Sequence, residues 1–296
     1  MKELKLGIPK GSLQNATSEL FKKAGWRIRG MDRSYFPAID DDELRLSLVR
    51  AQEMSRYVED GTLDAGITGM DWTQENASDV EVAAEFVYAK ASLKPVRWVL
   101  AVTKDSPVQK AEDLRGKKIA TEMVNFTKRY FSEKGIAVDV EFSWGATEAK
   151  AAEGLVDAIV EVTETGSTIR AHGLRVVAEL LESSPQLIVN KKAWKDDWKR
   201  KKIEQITLLL RGALGAENKV GIKLNVVEQN LERVVGLIPS ITAPTVAPLY
   251  QTAALHGEKW FSVESVIAEN VVRDLIPKLL QNGAVGIIEY PLNKVI

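Results

Sequence analysis

The chain has 296 residues, 45% apolar and 27% charged, with a formal net charge of -1. That length exceeds one compact domain, so two or three globular units are expected, and the composition carries no sign of disorder. Near-zero charge argues against a general nucleic-acid binder with a basic footprint, but a few placed cations could still hold a small anion.

Residues 1–10 lack the apolar core of a signal peptide, and no apolar run is long enough to span a bilayer. A cytoplasmic chain with no membrane partner is expected. Residues 4–8 read as a strand entering the turn Pro9-Lys10-Gly11-Ser12, and Leu13, Ala16, Leu20, Phe21 and Ala24 have the spacing of a helix stopped by Gly25. Residues 43–50 read as a strand, 51–59 as a helix and 63–68 as a short buried strand closed by Gly69. The pattern then renews itself, with strands at 98–102, 118–121, 138–142 and 157–162 and helices at 125–134 and 147–152. Segments 174–181 and 186–190 follow, then a charged stretch at 191–200 bearing Trp194 and Trp198, which reads as a solvated helix face. Helical spacing continues through Ile203, Ile206, Leu210 and Ala213 to Gly215, which marks a domain boundary.

Strand–helix alternation of this kind predicts α/β lobes rich in parallel strands, with a ligand cleft at the strands' carboxyl ends. The remainder reads strand 219–226, helix 228–236, strands 245–249 and 261–267, helix 269–282 and strand 284–289. That βαββαβ order is the split ferredoxin-like unit.

The segment Asp157-Ala-Ile-Val-Glu161-Val-Thr-Glu164-Thr165-Gly166-Ser167-Thr168 is the most informative. It reads as strand, polar loop and helix start, offering backbone N–H groups and hydroxyls that suit a phosphate monoester. The Gly-Lys-Ser/Thr ending of a nucleotide P-loop is absent. Glu161 suits a sugar diol instead, because one carboxylate can accept from two neighbouring hydroxyls. On the loop alone, a phosphorylated ribose site and a helix cap that binds nothing are equally good readings. Other chemistries are scarce. The chain has no cysteine, and its two histidines, His172 and His256, lie far apart. Any metal should be hard, such as Mg²⁺, and held by carboxylates and substrate phosphates rather than by a dedicated protein site.

The order and spacing of several further segments break the tie. They are Gly7-Ile-Pro-Lys10-Gly11, Tyr57-Val-Glu-Asp-Gly61-Thr-Leu-Asp64-Ala-Gly66-Ile-Thr-Gly69-Met-Asp71, Ile119-Ala-Thr121 with Arg129-Tyr130-Phe131, Gly145-Ala-Thr-Glu148 and Ala243-Pro244-Thr245-Val-Ala-Pro248. With residues 157–168 they give the whole chain a resemblance to the long-form ATP phosphoribosyltransferases, first enzymes of histidine biosynthesis. The resemblance implies two lobes like a type II periplasmic binding protein plus a ferredoxin-like regulatory domain. It places lobe I at residues 1–92 and 182–214, lobe II at 93–181 and the regulatory domain at 215–296.

It also implies transfer of phosphoribosyl from phosphoribosyl pyrophosphate to N1 of ATP's adenine, with Mg²⁺, inhibition by histidine and AMP, and dimers or hexamers. Carried over by position, Glu161 grips the ribose, while Glu164, Thr165, Gly166, Ser167 and Thr168 form the 5-phosphate loop. Lys10 and Arg50 face the polyphosphates, and Asp71 contacts substrate. Asn225, Ile241, Ala243, Thr245 and Gly286 would surround histidine.

Competing roles are a solvated turn lysine for Lys10, an ion pair with Glu53 for Arg50, a helix cap for Asp71 and a helix-surface glutamate for Glu148. Segment 241–248 could be a mere connector. Three positions depart from the family pattern: Glu161 for the usual Asp, Val124 for a common Pro, and Asn225 where some relatives carry Asp. A non-catalytic two-lobed ligand-binding protein and an idle regulatory subunit are the other function classes compatible with such lobes.

Overall fold

A computed structural model describes residues 2–88, 94–250 and 257–296; the expected lobe junction at 92/93 and His256 lie outside the described residues. Two compact units divide between Leu208 and Leu209, within the helix that Gly215 ends.

In chain order the first unit contains β1 (Leu4–Lys10), α1 (Gln14–Ala24), β2 (Ile28–Arg29), β3 (Ala38–Ile39), β4 (Leu44–Arg50) and α2 (Ala51–Glu59). Next come β5 (Ala65–Gly69), α3 (Met70–Asn76), β6 (Glu81–Glu85), β7 (Val96–Thr103), β8 (Lys118–Thr121) and α4 (Val124–Glu133). Then follow β9 (Asp139–Phe142), α5 (Thr147–Ala152), β10 (Ala158–Thr163), α6 (Ser167–Ala171), β11 (Leu174–Ser183), β12 (Pro185–Val189) and α7 (Lys191–Lys195). Helix α8 (Asp197–Gly215) runs through the boundary between the units.

Two sheets result, with strand orders β4-β1-β5-β12-β6 and β9-β8-β10-β7-β11. In each, three neighbouring strands run parallel, while β12 in one and β7 in the other enter antiparallel. The sheets are therefore mixed rather than simply parallel. Strand β11 belongs to the second sheet and β12 to the first, so the chain returns between lobes at Ser184. The short apolar runs of β5 and β12 are buried at every residue, as strands covered on both faces must be. Helix α2 lies close on β1 and β5 because two strand residues lack side chains. A Cβ at Gly7 or Gly66 would meet the Met54 sulfur at 2.3 or 2.6 Å, and overpacking of this kind costs about 1–3 kcal/mol.

The hairpin β2–β3, the helix α3 and strand β6 are absent from the expected elements. All are short, so too few residues repeat to give a periodic signal. The charged stretch at α7 and α8 is used structurally: Lys191 pairs with Asp79, Lys199 with Asp64 at 2.6 Å, and the buried Lys202 with Asp41 and Glu43, each at 2.8 Å. Among the described residues, no helix is long and apolar enough to cross a membrane.

The second unit contains β13 (Lys219–Val227), a 3-10 turn (Glu228–Asn230), α9 (Leu231–Val235), β14 (Thr245–Pro248), β15 (Trp260–Ala268), α10 (Glu269–Gln281) and β16 (Val285–Pro291). Its sheet has the order β14-β15-β13-β16 and is antiparallel throughout, which is the ferredoxin-like arrangement. Ile222, Leu224, Val226, Val263 and Ile267 point from one sheet face onto Val272, Leu275 and Leu279 of α10. Segment 241–248 is more than a connector, since β14 pairs along β15.

Candidate active site

The carboxyl ends of parallel strands from both sheets meet at one cavity of about 720 Å³. Register fixes its cationic side: Lys10 and Arg50 are paired neighbours at the ends of β1 and β4, and both line the cavity. Arg50 is also the extended residue that starts α2, so strand and helix meet at its backbone. Each cation faces an exposed aromatic ring: Lys10 Nζ lies 4.0 Å from the Tyr35 centroid, and the Arg50 guanidinium 5.6 Å from that of Trp144.

On the facing lobe, β10 delivers Glu161, and the loop after it supplies Thr163, Glu164, Thr165, Ser167 and Thr168 to the same cavity. Gly166 has φ 73° and starts α6, a left-handed conformation that glycine adopts without a Cβ penalty. Its N–H donates to Thr163 Oγ1 at 2.7 Å, closing the turn from within. Thr165, Ser167 and Thr168 remain exposed, with the Thr165 hydroxyl donating to Ser167 Oγ at 3.0 Å. Gly166 is behind the loop rather than on the cavity wall.

The Glu161 carboxyl is pushed up to about 7, chiefly by burial and further by the charges of Glu148 and Glu122. The Val162 N–H at 3.0 Å and the Thr147 hydroxyl oppose this shift. Asp71 lines the cavity but is buried, and burial raises its carboxyl too. One of its oxygens accepts from Trp98 Nε1 at 2.7 Å and the other from the Trp72 N–H at 2.9 Å. Asp71 thus ties α3 to the second sheet, with Trp72 edge-on to Trp98 at 5.8 Å.

Several lining residues carry no motif in the sequence: Gln52, Tyr88, Trp98, Glu122 and Ser183. Glu122 follows β8 directly, so a polar residue just past a parallel strand's end was the available signal. The others reach the cavity only through tertiary contacts. Tyr88 is held by Thr17 at 2.8 Å, and Ser183 accepts from the Asp71 N–H at 3.0 Å.

In the second unit Asn225 of β13 pairs opposite Val285, beside Gly286. Gly286, at φ 58°, sits where the register of β16 shifts, the conformation of a bulge glycine. Thr245 is on β14 with β15 between it and β13, and Ile241 and Ala243 precede it, exposed. The fold therefore joins Asn225 to Gly286 and leaves Thr245 on an edge strand, about 10 Å away at two strand spacings.

Comparison with known proteins agrees with this architecture. Residues 50–212 match the family model described as ATP phosphoribosyltransferase, and residues 216–294 match the HisG C-terminal domain. The chain is 63% identical over 293 residues to the ATP phosphoribosyltransferase of Solidesulfovibrio magneticus, covering 99% of this chain and 98% of that protein. It is 58% identical over 293 residues to ATP phosphoribosyltransferase 1 of Geobacter sulfurreducens, covering 99% of each. Among solved structures, a chain of the ATP phosphoribosyl transferase (HisG:HisZ) complex of Thermotoga maritima superposes with a TM-score of 0.60 at 26% identity, covering 70% of this chain and 98% of that one. With the family model matched across the two-sheet unit and relatives near 60% identity along the full length, the chain belongs to the ATP phosphoribosyltransferase family, in the long form that ends in a HisG C-terminal domain.

Proposed function

We propose that the cavity binds phosphoribosyl pyrophosphate and ATP together and joins N1 of the adenine to C1 of the ribose. The C1–O bond to pyrophosphate breaks as the C1–N1 bond forms, with inversion at C1, giving N1-(5-phosphoribosyl)-ATP and pyrophosphate. This is the first step of histidine biosynthesis. The observation that carries the reading is the facing arrangement itself: Lys10 and Arg50 on one wall, Glu161 and the 163–168 loop on the other, around one cavity.

In this reading Thr165, Ser167 and Thr168 hold the 5-phosphate, with Glu164 and Gly166 shaping the loop, and Glu161 accepts from the ribose hydroxyls. As pyrophosphate leaves, C1 gains positive charge. An ionised Glu161 beside it stabilises that state, while Lys10 and Arg50 meet the departing negative charge. Holding both substrates in line supplies much of the remaining acceleration. Asp71, also on the cavity wall, is held in place by the Trp72 N–H and the Trp98 indole and keeps acceptor capacity for substrate.

The carboxylate of Glu122 on the wall is a hard donor of the type Mg²⁺ takes, and Mg²⁺ arriving on the pyrophosphate would neutralise part of its charge. Histidine is the proposed inhibitor at Asn225 and Gly286, which the sheet brings together, rather than at all five residues the resemblance implies, and AMP competes at the cavity. Self-association into dimers and a hexamer completes the proposal.

The test is release of pyrophosphate that requires ATP, phosphoribosyl pyrophosphate and Mg²⁺ together. Glu161→Ala and Thr168→Val should each lower kcat/KM for phosphoribosyl pyrophosphate by roughly 10- to 100-fold, the scale of one hydrogen bond involving a charged group. Neither should lower the unfolding midpoint. Wild-type kinetics in both variants would remove the loop from the site.

A further inference from the structure

Two cations side by side at strand ends repel one another, and a carboxylate partner would cancel the charge an anionic ligand needs. Here each is instead held by an exposed ring. The Lys10–Tyr35 contact lies within the first lobe, whereas the Arg50–Trp144 contact crosses from β4 of the first lobe to the β9–α5 turn of the second. A guanidinium attracted to a ring commits no N–H donor to a carboxylate. Its five N–H donors lie in the plane and stay available to phosphate oxygens.

The turn bearing Trp144 is itself fixed. Gly145 and Ala146 both have positive φ, at 72° and 52°, and for alanine this conformation is costly. The flanking Ser143 and Thr147 are buried, their hydroxyls 3.1 Å apart, and the Ser143 N–H bonds the Thr121 carbonyl at the end of β8. Thr147 also reaches Glu161. One clamped turn therefore touches both the carboxylate wall and the cationic wall of the cavity.

We propose that Trp144 is a positioning residue for the transfer reaction: its indole, presented by a clamped turn of the opposite lobe, holds the Arg50 guanidinium in place for a polyphosphate oxygen. This rests on the role given to Arg50 above and adds to it the means by which the charge is aimed. Trp144 is not on the cavity wall, and the polyphosphate that Arg50 meets is charged before the bond breaks as well as after, so loss of Trp144 acts on binding more than on the chemical step.

Steady-state kinetics with phosphoribosyl pyrophosphate and ATP would be measured for Trp144→Ala, Trp144→Phe, Arg50→Ala and the Trp144→Ala/Arg50→Ala double variant. Trp144→Ala should raise KM for one of the two substrates by about threefold to fivefold, the scale of an exposed cation–π contact, with much less change in kcat. Trp144→Phe should restore most of the loss, and on the Arg50→Ala background Trp144→Ala should add nothing. A wild-type KM in Trp144→Ala alongside a raised KM in Arg50→Ala would overturn the inference and leave the site standing. The same penalty from Trp144→Ala with and without Arg50 would also overturn it. A wild-type KM in Arg50→Ala would overturn the role of Arg50 and the inference together.

Discussion

Glu161 shows how one side chain can serve binding at a cost to stability. Burial and two neighbouring carboxylates lift its carboxyl from 4.5 to about 7. Between those values the unfolded chain releases its proton while the folded chain keeps it. Stability is therefore lost as pH rises through that window. A Glu161→Gln variant carries no such loss. Its advantage over the wild type should grow by about 2 kcal/mol between pH 5 and pH 8, measured by urea unfolding. Parallel pH profiles for the two proteins would show that Glu161 is not titrating in this way. The carboxylate needed in the reaction is the ionised form, so KM for phosphoribosyl pyrophosphate should fall as pH rises through 7, in the opposite sense to stability. The sequence offered Glu161 as a diol acceptor. The shift itself was not legible, because Glu122 and Glu148 approach it only in the folded chain.

At the scale of elements, the join between the lobes is made by α3. Helix α4 begins at Val124, its first helical position. Its preceding residue, Met123, provides no side-chain cap. The buried Glu75 of α3 supplies it instead, accepting from the N–H groups of Asn125 at 3.0 Å and Phe126 at 2.8 Å. Arg129 of α4 returns a bond to the Gln74 carbonyl. Glu75→Ala would leave two donors without their acceptor and is expected to cost about 2–3 kcal/mol. Glu75→Gln should recover part of this through its amide oxygen. Equal urea midpoints for wild type and Glu75→Ala would show that the cap is idle. The helix α4 was readable from its own spacing, but its cap was not, since the partner lies some fifty residues earlier in the chain.

For the whole molecule, the question is how a regulator on the second unit reaches chemistry in the first. Asn225 stands beside the bulge at Gly286, where its amide oxygen would accept a hydrogen bond from a free amino acid's ammonium without charge pairing. Asn225→Asp should tighten histidine inhibition by roughly tenfold, the scale of adding a paired opposite charge to a hydrogen bond the ammonium already makes. Titration of the pyrophosphate-release rate with histidine checks this, and no gain in affinity would reject it.

The sequence by itself determined the elements with long enough periodicity, the ferredoxin-like order of the last strands and the strand–loop–helix that ends at Thr168. These are local: repeating side chains, turn glycines and strand-to-loop transitions lie next to each other in the chain. Only the tertiary structure decided that β12 and β7 enter their sheets antiparallel, that Asp71 faces an indole, and that Trp144 meets Arg50. Each of these depends on how two sheets turn their strand ends toward one cavity, and no spacing along the chain encodes the distance across it.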